Sequence, residues 1–295
     1  MKVLLATDGS EFSEGAARFL TRFDFSAQDE IVVLHVVSEI PFEDDYRAQV
    51  RQFIRRAAPG ILRTAAGILK PVKARVVTME EEGYPDSTIM DIAANAGMDL
   101  IVMGARGIKG LKAFLLGSST RSVVINSSKP VLVTKPAARG GGALKVLFAA
   151  DGSDSAEVTG DLLTSLPLGD DTQVKIINVE WSAVSDIPER LALEVDEKMK
   201  ETVARMRTVE AEAAERVVQE AELRLRRRFS NVGRIIEKGD PSTLILEESE
   251  KWEADMIAVG SRGLRGIRGM LGSVSRRTLG HAGCSVLVGS KTTVK

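Results

Sequence analysis

Cysteine is almost absent from the chain, and its scarcity excludes two common ways of stabilising a domain. Cys284 is the single cysteine among 295 residues. One thiol can form neither an internal disulfide nor a cysteine-based zinc site. The chain is long enough for each half to bury an apolar core of its own.

Long apolar runs and blocks of basic charge are missing as well. The first apolar run ends before Asp8, and no stretch of roughly 18 apolar residues follows anywhere. This pattern predicts neither a signal peptide nor a membrane-spanning helix, and a cytoplasmic protein without membrane contact is expected. The 40 basic side chains nearly balance the 41 acidic ones, with no basic tail, so nucleic acid is not an expected partner.

Aromatic residues make up only 4% of the chain, while 44% of it is hydrophobic. Its cores must therefore consist of Val, Ile, Leu and Ala, a composition that suits parallel strands covered by helices.

The sequence repeats itself. KVLLATDGSE at 2–11 recurs as KVLFAADGSD at 145–154, and DLIVMGARG at 99–107 recurs as DMIAVGSRG at 255–263. A Gly-rich segment between the copies is suited to a linker. The predicted domains are residues 1–137 and 144–295, with the linker at 138–143.

Each copy alternates strand-length apolar runs with amphipathic helical segments. The predicted strands are 2–6, 31–37, 72–77, 100–103 and 131–134 in the first copy, and 145–149, 174–179, 232–236, 256–259 and 285–288 in the second. This alternation predicts an α/β fold of two tandem, doubly wound parallel sheets. The second copy also has a long apolar periodicity from Val195 to Leu225, which favours a surface helix on its own sheet over a coiled coil.

Glycines mark the edge of each sheet where ligands bind in this fold class. Asp8 and Asp151 follow the first strands, G-x-x-G follows the fourth strands, and Gly-Ser opens the next helices. Glycines let backbone N–H groups close on an anion, so the pattern favours phosphate. A role in turns alone is the alternative, and the presence of two copies in one context disfavours it.

The spacing G-x-x-G, nine residues, then G-S resembles the ATP-binding signature of the universal stress protein family, and Gly104, Gly107, Gly117 and Ser118 fit it. The resemblance covers nearly the whole chain. It implies five-stranded parallel sheets in the order 3-2-1-4-5, of the adenine nucleotide alpha hydrolase-like kind. It also implies an ATP cleft between the first and fourth strands. No metal site formed by the protein alone is expected, although Mg²⁺ can accompany the phosphates of ATP.

The same resemblance implies which residues bind the nucleotide. Asp8 would hold the ribose or adenine edge, and the backbone of Val36 would read adenine. The implied residues are Ala6, Asp8, Val36, Gly104, Ala105, Arg106, Gly107, Gly117, Ser118 and Ser119 in the first domain, and Ala149, Asp151, Val179, Gly260, Ser261, Arg262, Gly263, Gly272, Ser273 and Val274 in the second.

One departure from the signature distinguishes the domains: eight residues separate Gly263 from Gly272, one fewer than in the family spacing. A loss within the loop lets the pocket adjust, whereas a loss at the helix start turns the N–H donors away. The first domain is therefore the favoured site, and only Gly117→Val, not Gly272→Val, is expected to abolish most binding.

Other reactive residues have simpler interpretations. Asp8 and Asp151 are favoured as acceptors of hydroxyl or N–H groups rather than as metal ligands. His35 and His281 are expected to be structural, and Cys284 to be a core residue.

The chain lacks a P-loop, a G-x-G-x-x-G fingerprint and a general base positioned for hydrolysis, so binding with at most slow turnover is expected. A nucleotide-dependent stress-response regulator is the leading hypothesis. A slow ATPase or nucleotidyl-transfer enzyme and a nucleotide-free interaction protein are the alternatives. In the family the last strands pair across a two-fold axis. Here 131–134 and 285–288 could pair within one chain as a pseudo-dimer, and a further homodimer stays open.

Overall fold

A computed structural model describes residues 1–38, 45–106, 116–136, 141–180, 197–263 and 271–289. The strands are β1 Lys2–Ala6, β2 Glu30–Ser38, β3 Arg75–Gly83, β4 Leu100–Gly104, β5 Val131–Thr134, β6 Lys145–Ala149, β7 Gln173–Glu180, β8 Asn231–Lys238, β9 Met256–Val259 and β10 Ser285–Val288. The helices are α1 Glu11–Leu20, α2 Asp45–Ile68, α3 Pro85–Asn95, α4 Ser118–Asn126, α5 Asp154–Ser165, α6 Glu197–Leu225, α7 Pro241–Lys251 and α8 Ser273–His281.

The strands of the described residues form one continuous sheet in the order β3-β2-β1-β4-β5-β10-β9-β6-β7-β8. Strands within each half are parallel. The two halves meet where β5 pairs antiparallel with β10, with Leu132 opposite Leu287. The two predicted parallel sheets are thus joined through their last strands, 131–134 and 285–288, and each of these strands covers the open edge of the other half.

Helices cover both faces of this sheet and enclose two apolar cores. One core lies under α1, α2, α5 and α6 and includes Phe25, Phe148 and Phe229. The other lies under α3, α4, α7 and α8. Both cores contain residues of both halves, so the repeats share their interior.

One predicted strand is displaced along the chain, whereas the long predicted helix is present. The strand predicted at 72–77 is β3, at Arg75–Gly83, where it pairs with β2 as far as Gly83 opposite Ser38. The long helix predicted in the second copy is α6, and its last turns are buried at Val218 and Leu225. Its earlier turns expose Val209 to 61%. None of the described helices is both long and apolar enough to cross a membrane.

Polar contacts join the two repeats on either side of the β5–β10 junction. Arg22 Nη1 donates to Asp255 Oδ1 at 2.7 Å, and both side chains are largely buried. Lys135, directly after β5, donates from Nζ to the carbonyl oxygens of Leu279 and Ala282 at 2.9 and 2.6 Å. A cation at the carbonyl end of α8 suits the helix dipole.

Candidate functional site

The loop after the first strand has the same structure in both repeats. Asp8 Oδ1 accepts hydrogen bonds from the N–H and hydroxyl of Ser10 at 3.0 and 2.6 Å. Asp151 Oδ1 accepts the corresponding bonds from Ser153 at the same distances. These serines cap α1 and α5. One carboxylate oxygen in each repeat is thus held by the loop.

The first glycine of each G-x-x-G motif is required by packing. A Cβ added at Gly104 would lie 2.7 Å from the backbone carbonyl carbon of Phe12, at the start of α1. At Gly260 it would lie 2.6 Å from Ser155 Oγ and 3.0 Å from the N atom of Ala156. These glycines allow a helix to approach the fourth strand of each half closely.

The helix that follows each G-x-x-G motif begins in the same register in both repeats. Gly117 N–H donates to the Ala105 carbonyl at 3.0 Å, and Gly272 N–H donates to the Ser261 carbonyl at 2.9 Å. Thr120 and Ser275, three residues further on, each donate to the carbonyl of the motif's first glycine.

The residue missing from the second repeat therefore lies between Gly263 and Leu271, outside the helix start. The reason for favouring the first domain, a displaced helix N-terminus in the second, does not hold. Gly272 N-caps α8 without a side-chain hydrogen bond, as Gly117 does for α4. Backbone N–H groups of both first turns are left for other acceptors.

A cavity of about 370 Å³ lies at the carboxyl ends of β6 and β9 in the second repeat. This volume falls within the roughly 300–1,000 Å³ of small-molecule sites. The predicted residues that line it are Ala149, Asp151, Val179, Gly260, Arg262, Gly263, Gly272, Ser273 and Val274. Ser261 does not line the cavity; it is buried beside Ser155, with 3.3 Å between their hydroxyl oxygens.

Gly263 lies close to the carboxylate of this cavity. A Cβ at Gly263 would approach Asp151 Oδ2 to 2.7 Å. Because Gly263 has no side chain, the Asp151 carboxylate fits beside it. A Cβ at Gly272 would meet Arg262 Cα at 3.4 Å, an ordinary contact, so an alanine fits there.

Sequence reasoning missed several residues that line this cavity: Pro241, Ile245 and Leu271, which are apolar, and Arg276, which is charged. The first two lie on α7, whose packing over the cleft the sequence does not reveal. Arg276 follows Ser273 by three residues and so lies on the same face of α8. That spacing, and an arginine at the matching position 121, were available signals.

In the first repeat, Gly107 lies outside the described residues, as do the basic residues at 109 and 265 that flank the motifs. Arg106 stacks over the Phe12 ring at 5.2 Å and lines a crevice between the repeats. Lys135 lines the same crevice. The pKa of Lys135 is lowered to about 8, chiefly by burial; Cys284 opposes this shift and nearby Arg106 contributes to it.

The remaining predicted first-repeat residues surround the carboxyl ends of β1 and β4. Ala6 ends β1, Val36 is half-buried in β2, and Ser118 and Ser119 open α4, where they are exposed and half-buried.

His35 and Cys284 are buried and contribute to packing. His35 Nδ1 lies 2.8 Å from the Thr7 carbonyl oxygen. At the matching position of the second repeat, the Asn178 side-chain amide donates to the Ala150 carbonyl oxygen. Burial raises the pKa of the Cys284 thiol to about 12. Within the described ranges, no three His, Cys, Asp or Glu side chains gather as they would around a metal ion.

The shared sheet and the two glycine-lined strand ends define a tandem, doubly wound α/β protein. The chain belongs to the universal stress protein family, which it matches at residues 1–135 and 143–289.

Individual relatives match one repeat or both. Universal stress protein MJ0577 of Methanocaldococcus jannaschii is 29% identical over 152 residues, 45% of this chain and 94% of that protein. A universal stress protein of Mycolicibacterium smegmatis is 28% identical over 297 residues, 97% of this chain and 96% of that one. The crystal structure of a universal stress protein from Archaeoglobus fulgidus superposes with a TM-score of 0.65 at 24% identity, covering 99% of this chain and 98% of that one.

Proposed function

We propose that the chain binds ATP in a cleft of each repeat and acts as a nucleotide-dependent stress-response regulator or interaction module. One observation carries this proposal: the cavity at the ends of β6 and β9 is lined by nine of the ten second-repeat residues that the family resemblance implies. In the first repeat, α4 begins with the same backbone hydrogen bond as α8, from Gly117 to Ala105, so we extend the proposal to the first repeat.

The residues present fit a nucleotide. Ile177, Val179 and Ile245 give the cavity an apolar wall for a base, and Asp151 offers a carboxylate to sugar hydroxyls. The N–H groups at the start of α8 are suited to phosphate. Bound ATP would supply negative charge and a Mg²⁺ ligand set at its phosphates. The protein groups orient it and exclude water.

The regulatory part of the proposal rests on the position of Arg106. This residue belongs to the first G-x-x-G segment and also lines the crevice between the repeats, beside Lys135. Nucleotide at that segment would therefore change the packing of the pseudo-dimer formed by β5 and β10. Thermal unfolding at several protein concentrations tests whether two whole chains also form a homodimer, because the unfolding temperature of a dimer depends on concentration.

Thermal unfolding with and without Mg-ATP tests the proposal. Ligand at one hundred times its dissociation constant should stabilise the binding domain by about 2.7 kcal/mol. Gly117→Val and Gly272→Val are each expected to remove one site, because the added methyl groups fill the helix start. Gly272→Ala is the matched control, since its Cβ has room.

Three results would contradict the proposal. Absence of any shift with ATP would favour a nucleotide-free interaction protein. Phosphate release at several turnovers per second would favour the enzyme. Full binding by the doubly substituted chain would show that nucleotide binds elsewhere.

A further inference from the structure

The charged side chains that line the second-repeat cavity include one carboxylate, Asp151, and two guanidinium groups, Arg262 and Arg276. The carboxylate lies beside Gly263, and Ser153 holds one of its oxygens. The charged groups of the lining therefore sum to a positive charge, which favours an anionic ligand.

Arg276 is held at the start of α8 by the protein itself. Its Nη2 donates to the Leu271 carbonyl oxygen at 3.2 Å, and this bond uses one of five N–H donors. The bond fixes the guanidinium at the cavity wall before any ligand arrives. The next residue, Arg277, is directed elsewhere and pairs with Asp240 Oδ2 at 3.3 Å on the surface.

This arginine is exposed to solvent and places a positive charge in the first turn of α8. The first turn of α8 contains no acidic residue, whereas the first turn of α5 contains Asp154 and Glu157. A cation near a helix N-terminus adds to the positive end of the dipole. A bound polyanion offsets the repulsion between the Arg276 charge and the positive end of the helix dipole. The free energy of ligand binding therefore depends on the charge of the ligand.

We propose that Arg276 makes the second cavity selective for adenine nucleotides with more than one phosphate. This inference rests on the proposed nucleotide binding and adds to it a residue that sets ligand charge. The glycine N–H groups serve any phosphate next to the ribose. The guanidinium adds charge-assisted hydrogen bonds for the phosphates beyond it.

The test compares adenosine, AMP and Mg-ATP on the full chain. Hydrogen exchange of segments 256–263 and 273–281 follows the second cavity, while segments 100–106 and 118–126 follow the first. Wild type should bind Mg-ATP more tightly than AMP in the second cavity. Arg276→Gln should weaken Mg-ATP by roughly 10- to 100-fold there and leave adenosine unchanged. Arg276→Lys, which keeps the charge but loses the planar fork, should fall between the two.

Arg277→Gln is the matched control and should leave all three affinities unchanged. An equal loss of adenosine and Mg-ATP in Arg276→Gln would show that Arg276 only supports the fold, and an unchanged ratio of Mg-ATP to AMP affinity would show that it does not read charge. Either result overturns the inference while nucleotide binding stands. If wild type protects neither cavity with any ligand, the proposed function itself fails.

Discussion

The ion pair between Arg22 and Asp255 allows a direct measurement of how strongly the repeats are coupled. Arg22 follows α1 of the first repeat, and Asp255 precedes β9 of the second. The Arg22 side chain is 17% exposed and that of Asp255 only 4%. Asp255 Oδ2 also accepts the Lys145 N–H at 2.9 Å, so the carboxylate is fixed on both sides.

Arg22→Met removes one partner and leaves the Asp255 carboxylate buried with its backbone donor alone. Breaking a buried pair in this way costs roughly 3–5 kcal/mol. Arg22 retains some contact with solvent, so a loss of about 3 kcal/mol of unfolding free energy is expected. Arg18→Met is the control: Arg18 pairs with Glu14 at 3.3 Å but is 56% exposed, and its loss should cost less than about 1 kcal/mol.

Urea unfolding provides the assay. Both tryptophans lie in the second repeat, so their fluorescence follows that repeat while circular dichroism follows the whole chain. Asp255→Asn combined with Arg22→Met should recover part of the loss, because an amide oxygen can still accept from Lys145. If Arg22→Met costs no more than Arg18→Met, the contact behaves as a surface pair and the argument for a tightly coupled seam is wrong.

Four further predictions concern single sites. Gly260→Ala should lower the unfolding free energy by about 1–3 kcal/mol in a denaturant titration, because its Cβ overlaps the start of α5. Gly263→Ala should instead displace the Asp151 carboxylate and weaken nucleotide binding by calorimetry, with stability kept within about 0.5 kcal/mol. Burial holds the pKa of Lys135 at about 8 in the folded chain, against an ordinary value of 10.5, so the unfolded chain binds more protons between these values. The stability of wild type relative to Lys135→Met should therefore rise from pH 8 to pH 10.5, and a fall across that window would contradict the assignment. Because burial raises the pKa of Cys284 to about 12, native protein should resist alkylation at pH 8 until urea unfolds it, and rapid reaction of the native thiol would show that it is accessible.

The sequence predicted the buried strands well and the outer strand β3 poorly. β1 and β4 are continuous apolar runs covered on both faces, and these runs are visible in the sequence. β3 is an outer strand, and its second half contains three consecutive acidic residues, Glu80, Glu81 and Glu82. Its pairing with β2 fixes this strand, and pairing between segments 45 residues apart leaves no local signal.

The candidate site divides in the same way. Motif residues such as Gly263 and Ser273 were found because they recur at fixed spacing in both copies. The wall contributed by α7, including Pro241 and Ile245, was not found, because it depends on how a helix packs over the strand ends. The Arg22–Asp255 pair joins positions 233 residues apart, a distance that no periodicity can reveal.

The antiparallel pairing of β5 with β10 determines the relative orientation of the two halves within one molecule. The strands run in opposite directions on its two sides, so the carboxyl ends of β1 and β4 and those of β6 and β9, where the proposed clefts lie, are on opposite sides of the sheet. Since a single covalent chain carries both partners of the junction, dilution cannot separate them. Any response that depends on the two halves touching is therefore independent of how many copies of the protein a cell contains.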